Sequence, residues 1–183
     1  MKAYRFTSLL MALLSTVIAG GAGAETAREP AQSLKARYPL STIEVGNVSN
    51  QGVVAKKGLV LRLEADAPAL RIRFVQANTK SPRFHVRDYA RVEVMGDRIV
   101  SAERGDFTLP KGTRVVVLDL KVESDRVRLF THTVEPLRLP DGKAAYACTE
   151  FVFHLEPSVL AQGDVVTVQH QIERWLLPDK TNG

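Results

Sequence analysis

Four histidines and a single cysteine are the residues whose chemistry could support catalysis or metal binding. No two of His85, His132, His154 and His170 have the three- or four-residue spacing that places two zinc ligands on one helix face. Cys148 and His154 share a face if their segment is a strand, but six residues then separate them by about 20 Å. Unless the strand is broken they cannot bind one metal or form a nucleophile–base pair, so we predict neither a metal site nor a catalytic residue.

A small secreted hydrolase, assembled from scattered residues, is the enzymatic alternative. Its candidate residues are His132, Glu150 and His154, since His132 could approach either Cys148 or His154 from a neighbouring strand. The chain has no Gly-x-Ser-x-Gly nucleophile turn and no phosphate-binding glycine loop. We therefore expect no cofactor and favour a protein that is not an enzyme.

The clearest functional signal is a basic segment between positions 71 and 91. Its six cations are opposed by one acid, Asp88, and aromatic residues stand between them. Arginine binds carboxylates and phosphates through its planar fork, and aromatic rings beside it can stack on sugars or bases. The candidate binding residues are Arg71, Arg73, Lys80, Arg83, Arg87, Tyr89 and Arg91.

This segment predicts an anionic envelope polymer or an acidic protein as the partner. The alternative is a solvated strand-and-loop surface whose aliphatic stems cover apolar area, because runs of charge usually form such faces. Nucleic acid would also suit the charge, but we expect no nucleic-acid partner because the chain begins with an export signal.

The first 24 residues have the order of a signal peptide. Two cations precede an apolar run at positions 6–18, and small residues follow at 19–24. The run of about thirteen residues is shorter than the roughly twenty that span a bilayer. We predict cleavage after Ala24, with Ala22 as the alternative site and an uncleaved anchor helix as the alternative interpretation. The mature protein is then periplasmic or secreted, with no later transmembrane segment.

The composition indicates one domain without disulfides. Removing residues 1–24 from the 183-residue chain leaves 159, enough for a domain with its own core. The net charge falls from +5 to about +3, a mild excess. Because Cys148 is the only cysteine, no intramolecular disulfide can form. We expect it to be a small apolar residue buried in a strand.

Turn signals divide the chain into hairpins after a polar leader at 25–42, which is either a short helix from Pro30 or flexible. We predict a single domain at 43–178 and a tail at 179–183. Hairpins are predicted at 53–63 around Lys56-Lys57-Gly58, at 92–100 around Gly96 and at 115–130 around an acidic turn. In the third, Val116, Leu118, Leu120 and Val122 are predicted to share one face.

The last third combines one more turn with a helix. Pro140-Asp141-Gly142-Lys143 predicts a turn before a strand whose apolar face holds Phe151, Phe153 and Leu155. A short helical turn is possible at 156–162. Apolar residues at 165, 168, 172 and 175 have helical spacing, with Asp164 as N-cap and Pro178 as stop. Abundant valine favours a strand instead, and we prefer the helix for Val165–Leu176.

One stretch carries a resemblance. The residues from Leu109 to Val122, followed by Asp125 to Leu129, form a glycine-containing turn, two valine-rich strands and an acidic turn. This stretch of about twenty residues resembles segments of uncharacterised secreted bacterial proteins and the hairpins of small Src-homology-three-like barrels. The resemblance implies a β-hairpin fold and transfers no activity and no functional residue.

The sequence thus predicts a mostly β fold, a small barrel or sandwich of hairpins with a C-terminal α-helix. We expect a non-enzymatic, exported cell-envelope protein that binds an anionic or protein partner through its basic and aromatic surface. The alternatives are the small hydrolase and a structural subunit of an envelope assembly, which would show a large exposed apolar patch.

Overall fold

The structure is a computed structural model that describes residues 28–45, 52–72, 74–76, 84–86, 88–103, 105–139 and 141–180. The predicted signal peptide lies outside these residues. The described helices are α1 (Arg28–Arg37), α2 (Pro157–Ala161) and α3 (Val165–Glu173). The described strands are β1 (Thr42–Val45), β2 (Gly52–Lys56), β3 (Val60–Leu63), β4 (Ala67–Arg71), β5 (Phe74–Gln76), β6 (Phe84–Val86), β7 (Ala90–Met95), β8 (Arg98–Ala102), β9 (Phe107–Leu109), β10 (Arg114–Val122), β11 (Arg126–Thr133), β12 (Leu137–Arg138), β13 (Ala144–Ala145), β14 (Ala147–His154) and β15 (Leu176–Pro178).

Nine strands form one sheet that curls into a half-barrel. Its path runs β15-β3-β10-β11-β14 and forks at β14. The start of β14 pairs antiparallel with β4, which continues to β9, whereas residues 149–154 pair in parallel with β7, which continues to β8. The mostly β fold with its C-terminal helix confirms the predicted fold class.

The helices close one side of the sheet, here called the inner face. Leu34 of α1, Leu160 of α2 and Ile172 of α3 are buried in one cluster with the inward side chains of the strands. Phe151 and Phe153 of β14 stack at 6.3 Å within this cluster. Because full burial of such a side chain stabilises by about 1.5–3 kcal/mol, the cluster is the main source of stability in a chain without disulfides.

A helix does form where the sequence left helix and strand open. Asp164 caps α3, since its Oδ1 accepts from the Thr167 backbone N–H at 3.0 Å. The predicted stop at Pro178 is wrong: α3 ends at Glu173, and Pro178 ends β15, which pairs with β3. The reason is that Leu176 is fully buried, and an extended chain brings it to the core. No helix in the described ranges is long and apolar enough to span a bilayer.

Three predicted turns are confirmed. Gly96 (φ +63°) turns β7 into β8, and Gly142 (φ +78°) turns β12 into β13. Both glycines have the left-handed backbone that other residues rarely adopt. The acidic turn joins β10 to β11 in an antiparallel pair.

The predicted single apolar face of β10 is wrong. Val116 and Leu118 pack on the outer face of the sheet, whereas Leu120 and Val122 belong to the main core. The register with β11 shifts at Leu118, which is the extra residue of a β-bulge. A bulge moves every later side chain to the opposite face, so one strand supplies apolar residues to both sides.

The β1–β2 pair covers one end of the outer face. Ile43 packs against the cluster of Ile72 and Cys148, and Val54 packs against Val60 and Val116. This small second core explains why these outward residues are apolar.

The predicted hairpin around Lys56-Lys57-Gly58 is wrong, because β2 pairs with β1 and β3 pairs with β10 and β15. Gly58 instead allows a close crossing of two chain segments. Its N–H donates to Ser41 Oγ at 2.8 Å, and a β-carbon at this position would lie 1.9 Å from the Pro39 carbonyl oxygen. The glycine that suggested a turn is required for backbone contact.

Replacing Gly58 with alanine is therefore expected to lower the free energy of unfolding by about 2–3 kcal/mol, because the crossing must open. Gly142→Ala is the matched control: nothing lies within 4 Å of its β-carbon position, so only backbone strain of about 1 kcal/mol is expected. Urea denaturation of both variants measures the difference. An equal or smaller loss for Gly58→Ala would contradict the crossing.

Candidate binding surface

Polar and aromatic side chains continue the outer face beside the part that the β1–β2 pair covers. On β11, Arg128 and Phe130 alternate with the core residues Val127 and Leu129. Phe130 lies opposite Glu150 of β14, and Glu150 in turn lies beside Arg91 of β7. Strand alternation and register thus carry residues from three strands to one surface.

A buried carboxylate holds this surface together. The Glu150 side chain is only 5% exposed, and it accepts from Arg128 Nε and, at 3.1 Å, from Arg91 Nε. Arg128 also reaches Glu123 at 3.0 Å, and Arg91 reaches Glu103 at 3.5 Å. Hydrogen bonding to Glu150 raises the pKa of Arg128, so this guanidinium stays charged.

An aromatic pair stands beside this carboxylate. The rings of Tyr89 and Phe130 meet edge to face at 5.1 Å. Lys121 Nζ lies 5.0 Å and Arg128 Cζ 5.2 Å from the centre of the Phe130 ring, both within cation–π range. Burial, with the nearby negative charges, raises the pKa of Tyr89, which therefore stays neutral. These residues and Arg91 are called the aromatic–cation cluster below.

The ion pairs differ along the cluster. Arg91 and Arg128 are each held by two carboxylates, and neighbouring Arg126 grips Asp125 through two 2.8 Å hydrogen bonds. Among the described residues, Lys121 has no carboxylate within ion-pair distance. The surface is thus of mixed charge, with one uncommitted cation over an aromatic ring.

The structure brings together part of the predicted basic segment. Tyr89 and Arg91 belong to the aromatic–cation cluster, whereas Arg71 lies on β4, 3.6 Å from Asp141. The other predicted residues lie outside the described part of the chain: Arg73, Lys80, Arg83 and Arg87. The sequence did not predict Lys121, Arg128 and Phe130 as part of this surface. They reach Tyr89 because β14 pairs in parallel with β7 and also pairs with β11. No local sequence pattern encodes these long-range pairings.

The hydrolase candidates are not brought together. His154 Nε2 lies 2.8 Å from Glu93, and Glu150 is held by its two arginines. His132 is buried against Tyr146, opposite Cys148 in the strand register. Glu150 and His154 are four residues apart on one strand, about 13 Å. Glu150 and His154 are therefore too far apart to act together, and the small hydrolase stays a prediction.

Cys148 is buried, as predicted. Its thiol donates to the backbone oxygen of Asp88 at 3.1 Å, and burial raises its pKa to about 12. No group of three or more His, Cys, Asp or Glu side chains in the described ranges is placed to hold a metal ion.

Comparison with protein-family models, with curated proteins and with solved structures finds no match for this chain. The resemblance to Src-homology-three-like hairpins stays a prediction, and the assignment of function has to come from the geometry of the surface.

The Cys148 thiol is expected to be unreactive in the folded protein. With a pKa near 12 it is protonated at neutral pH, and only the thiolate is the nucleophile. Titration with a thiol reagent should modify it only after denaturant is added. The folded state should also lose stability as pH rises from about 9 towards 12, because only the unfolded thiol ionises there. Rapid labelling of the native protein would contradict this placement.

Glu150→Gln is expected to lower the free energy of unfolding by about 2 kcal/mol, because two arginines lose their shared buried charge. The matched control is Glu135→Gln, whose carboxylate is 53% exposed in its pair with Arg114 and should contribute about 0.5 kcal/mol or less. Chemical denaturation compares the two variants. If they lose the same amount, Glu150 does not organise the outer face.

Proposed function

We propose that this chain is a non-enzymatic, exported cell-envelope protein that binds a protein partner through the aromatic–cation cluster. The observation that carries the proposal is the contact of Tyr89 with Phe130, whose ring also lies within cation–π range of Lys121 and Arg128, on the outer face of the sheet. Aromatic residues and arginine are the side chains enriched at the centres of protein interfaces.

The rigidity of the surface supports a binding role. Phe130 contacts the Tyr89 ring and two cations, and Arg128 forms ion pairs with two carboxylates. Side chains that are already ordered lose little conformational entropy when a partner docks. Such preorganisation suits the recognition of a partner, because binding requires neither a movable nor a reactive side chain.

The charge balance favours a protein over an anionic polymer. Carboxylates already neutralise Arg91 and Arg128, so a polyanion would have to compete with Glu103, Glu123 and Glu150. A protein face can match alternating charges one by one, which yields specificity. Lys121 offers the one contact in the cluster that calls for an acidic residue on the partner.

Export is the part of the proposal that rests on the sequence alone. The charged, apolar and small-residue order before Ala24 supports it. A fold that depends on its core rather than on disulfides is compatible with an oxidising compartment, because its single thiol is buried.

Site-specific photo-crosslinking tests the proposal in the native cell envelope. A photoreactive residue at position 121 is expected to yield a discrete adduct with another protein, since this side chain stands over Phe130 at the centre of the cluster. The matched control replaces Lys35, an exposed lysine on α1, where no adduct is expected. In a second variant the photoreactive residue stands at position 123, and Lys121 is kept or replaced by glutamate. A discrete adduct that forms with Lys121 and is lost with Lys121→Glu would support the proposal.

Two outcomes would contradict it. Equal adducts from positions 121 and 35 would show that the cluster is not the interface. A diffuse product that disappears at high salt would favour the anionic polymer, because screening weakens contacts between exposed charges.

A further inference from the structure

The strand β8 forms an open edge of the nine-stranded sheet. It pairs with β7 on one side and, among the described residues, with no strand on the other. The other edge strands of the described sheet, β9 and β15, have three residues each, and β15 ends in a proline, which cannot donate to a further strand. An open edge presents backbone N–H and C=O groups that can pair with another chain. Its greater length makes β8 the edge best suited to such pairing.

The side chains of β8 are all exposed, and those in its middle are uncharged. Ile99 and Val100 are 44% and 47% exposed. Together with Met95 of the same hairpin, they are three of the five large apolar side chains that are exposed in the described ranges. Edge strands are commonly protected from pairing by lysine or proline, and β8 contains neither.

Strand register sorts the residues of β8 between the two faces of the sheet. Ile99 and Ala102 lie opposite core residues of β7 and therefore point to the inner face. Arg98 and Glu103 lie opposite residues of the outer face. The register shifts at Val100, the extra residue of a β-bulge. This bulge allows Arg98 and Glu103, five positions apart, to share one face, which a regular strand would not allow.

We propose that two copies of this chain form a dimer by pairing their β8 strands antiparallel, around a two-fold axis between positions 100 and 101. Arg98 then lies opposite Glu103 of the second copy, and Ile99 lies opposite Ala102. Residues opposite each other point to the same face in this register, whereas a shift by one residue would pair outward with inward side chains. The dimer joins the two sheets into one and brings the apolar middles of both strands together.

The charges at the ends of β8 favour a second copy as the occupant of this edge. In the described part of the chain Arg98 has no ion pair, and the Glu103 side chain is 54% exposed beside Arg91 of its own copy, at 3.5 Å. A carboxylate has two oxygens, so Glu103 can accept from both arginines. Asp97 lies in the turn before Arg98, outside the paired residues. Antiparallel pairing thus places opposite charges together at both ends, whereas parallel pairing in register would place like charges together.

Sedimentation velocity of the mature chain tests the dimer. Six residue pairs make a small interface, so we expect a reversible monomer–dimer equilibrium with a dissociation constant of about 1–100 µM. Arg98→Glu places like charges opposite each other at both ends and should weaken the dimer at least about tenfold. Arg138→Glu is the matched control, since Arg138 is an exposed arginine on β12, and it should sediment as the wild type does.

A mixture of two variants tests the register itself. Glu103→Arg alone should also weaken the dimer, because it places arginines opposite each other. When Arg98→Glu and Glu103→Arg are mixed, both end pairs regain opposite charges, so a heterodimer of about wild-type affinity is expected. Labelling one variant with a fluorophore detects the heterodimer, and thermal unfolding checks that each variant is folded.

Three outcomes would overturn the proposal. The first is a wild-type chain that stays monomeric up to about 500 µM, well above the expected dissociation constant. The second is an equal effect of Arg98→Glu and Arg138→Glu, and the third is the absence of a heterodimer in the mixture. The dimer needs no other protein, so its test is independent of the proposed function.

Discussion

The pairing of β14 on both edges is the constraint on which the rest of the structure depends. This strand is buried along nearly its whole length and contacts β11 on one edge, and β4 and β7 in succession on the other. Its inward residues Phe151 and Phe153 build the main core, and its outward Glu150 organises the surface. A single strand thus specifies the fork of the sheet, the packing beneath it and the charge pattern above it.

The balance of charge on the outer face follows from that arrangement. A carboxylate as buried as Glu150 would be costly alone, and two arginines offset this cost only because parallel and antiparallel neighbours place one on each side. The arrangement leaves Lys121 and the aromatic pair as the chemically available part of the surface.

Local turn chemistry made much of the fold predictable. Gly96, Gly142 and the acidic turn before Arg126 lie where hairpins were expected, and Asp164 caps the expected helix. Gly58 was misleading because a glycine marks close backbone approach as well as a turn. The bulge at Leu118 has no sequence signal, since one extra residue leaves the local pattern apolar. Of the candidate surface, the sequence predicted only Tyr89 and Arg91. The remaining residues come next to them through β14, whose Glu150 lies 59 positions from its partner Arg91.

The fork at β14 also has a consequence for the order in which the molecule can fold. The β10–β11 hairpin is local and can form early, whereas β4 and β7 precede their common neighbour by many residues and must wait for it. Loop closure over such separations is slow compared with hairpin formation. A chain synthesised from its amino terminus therefore cannot close its sheet until β14 has been made.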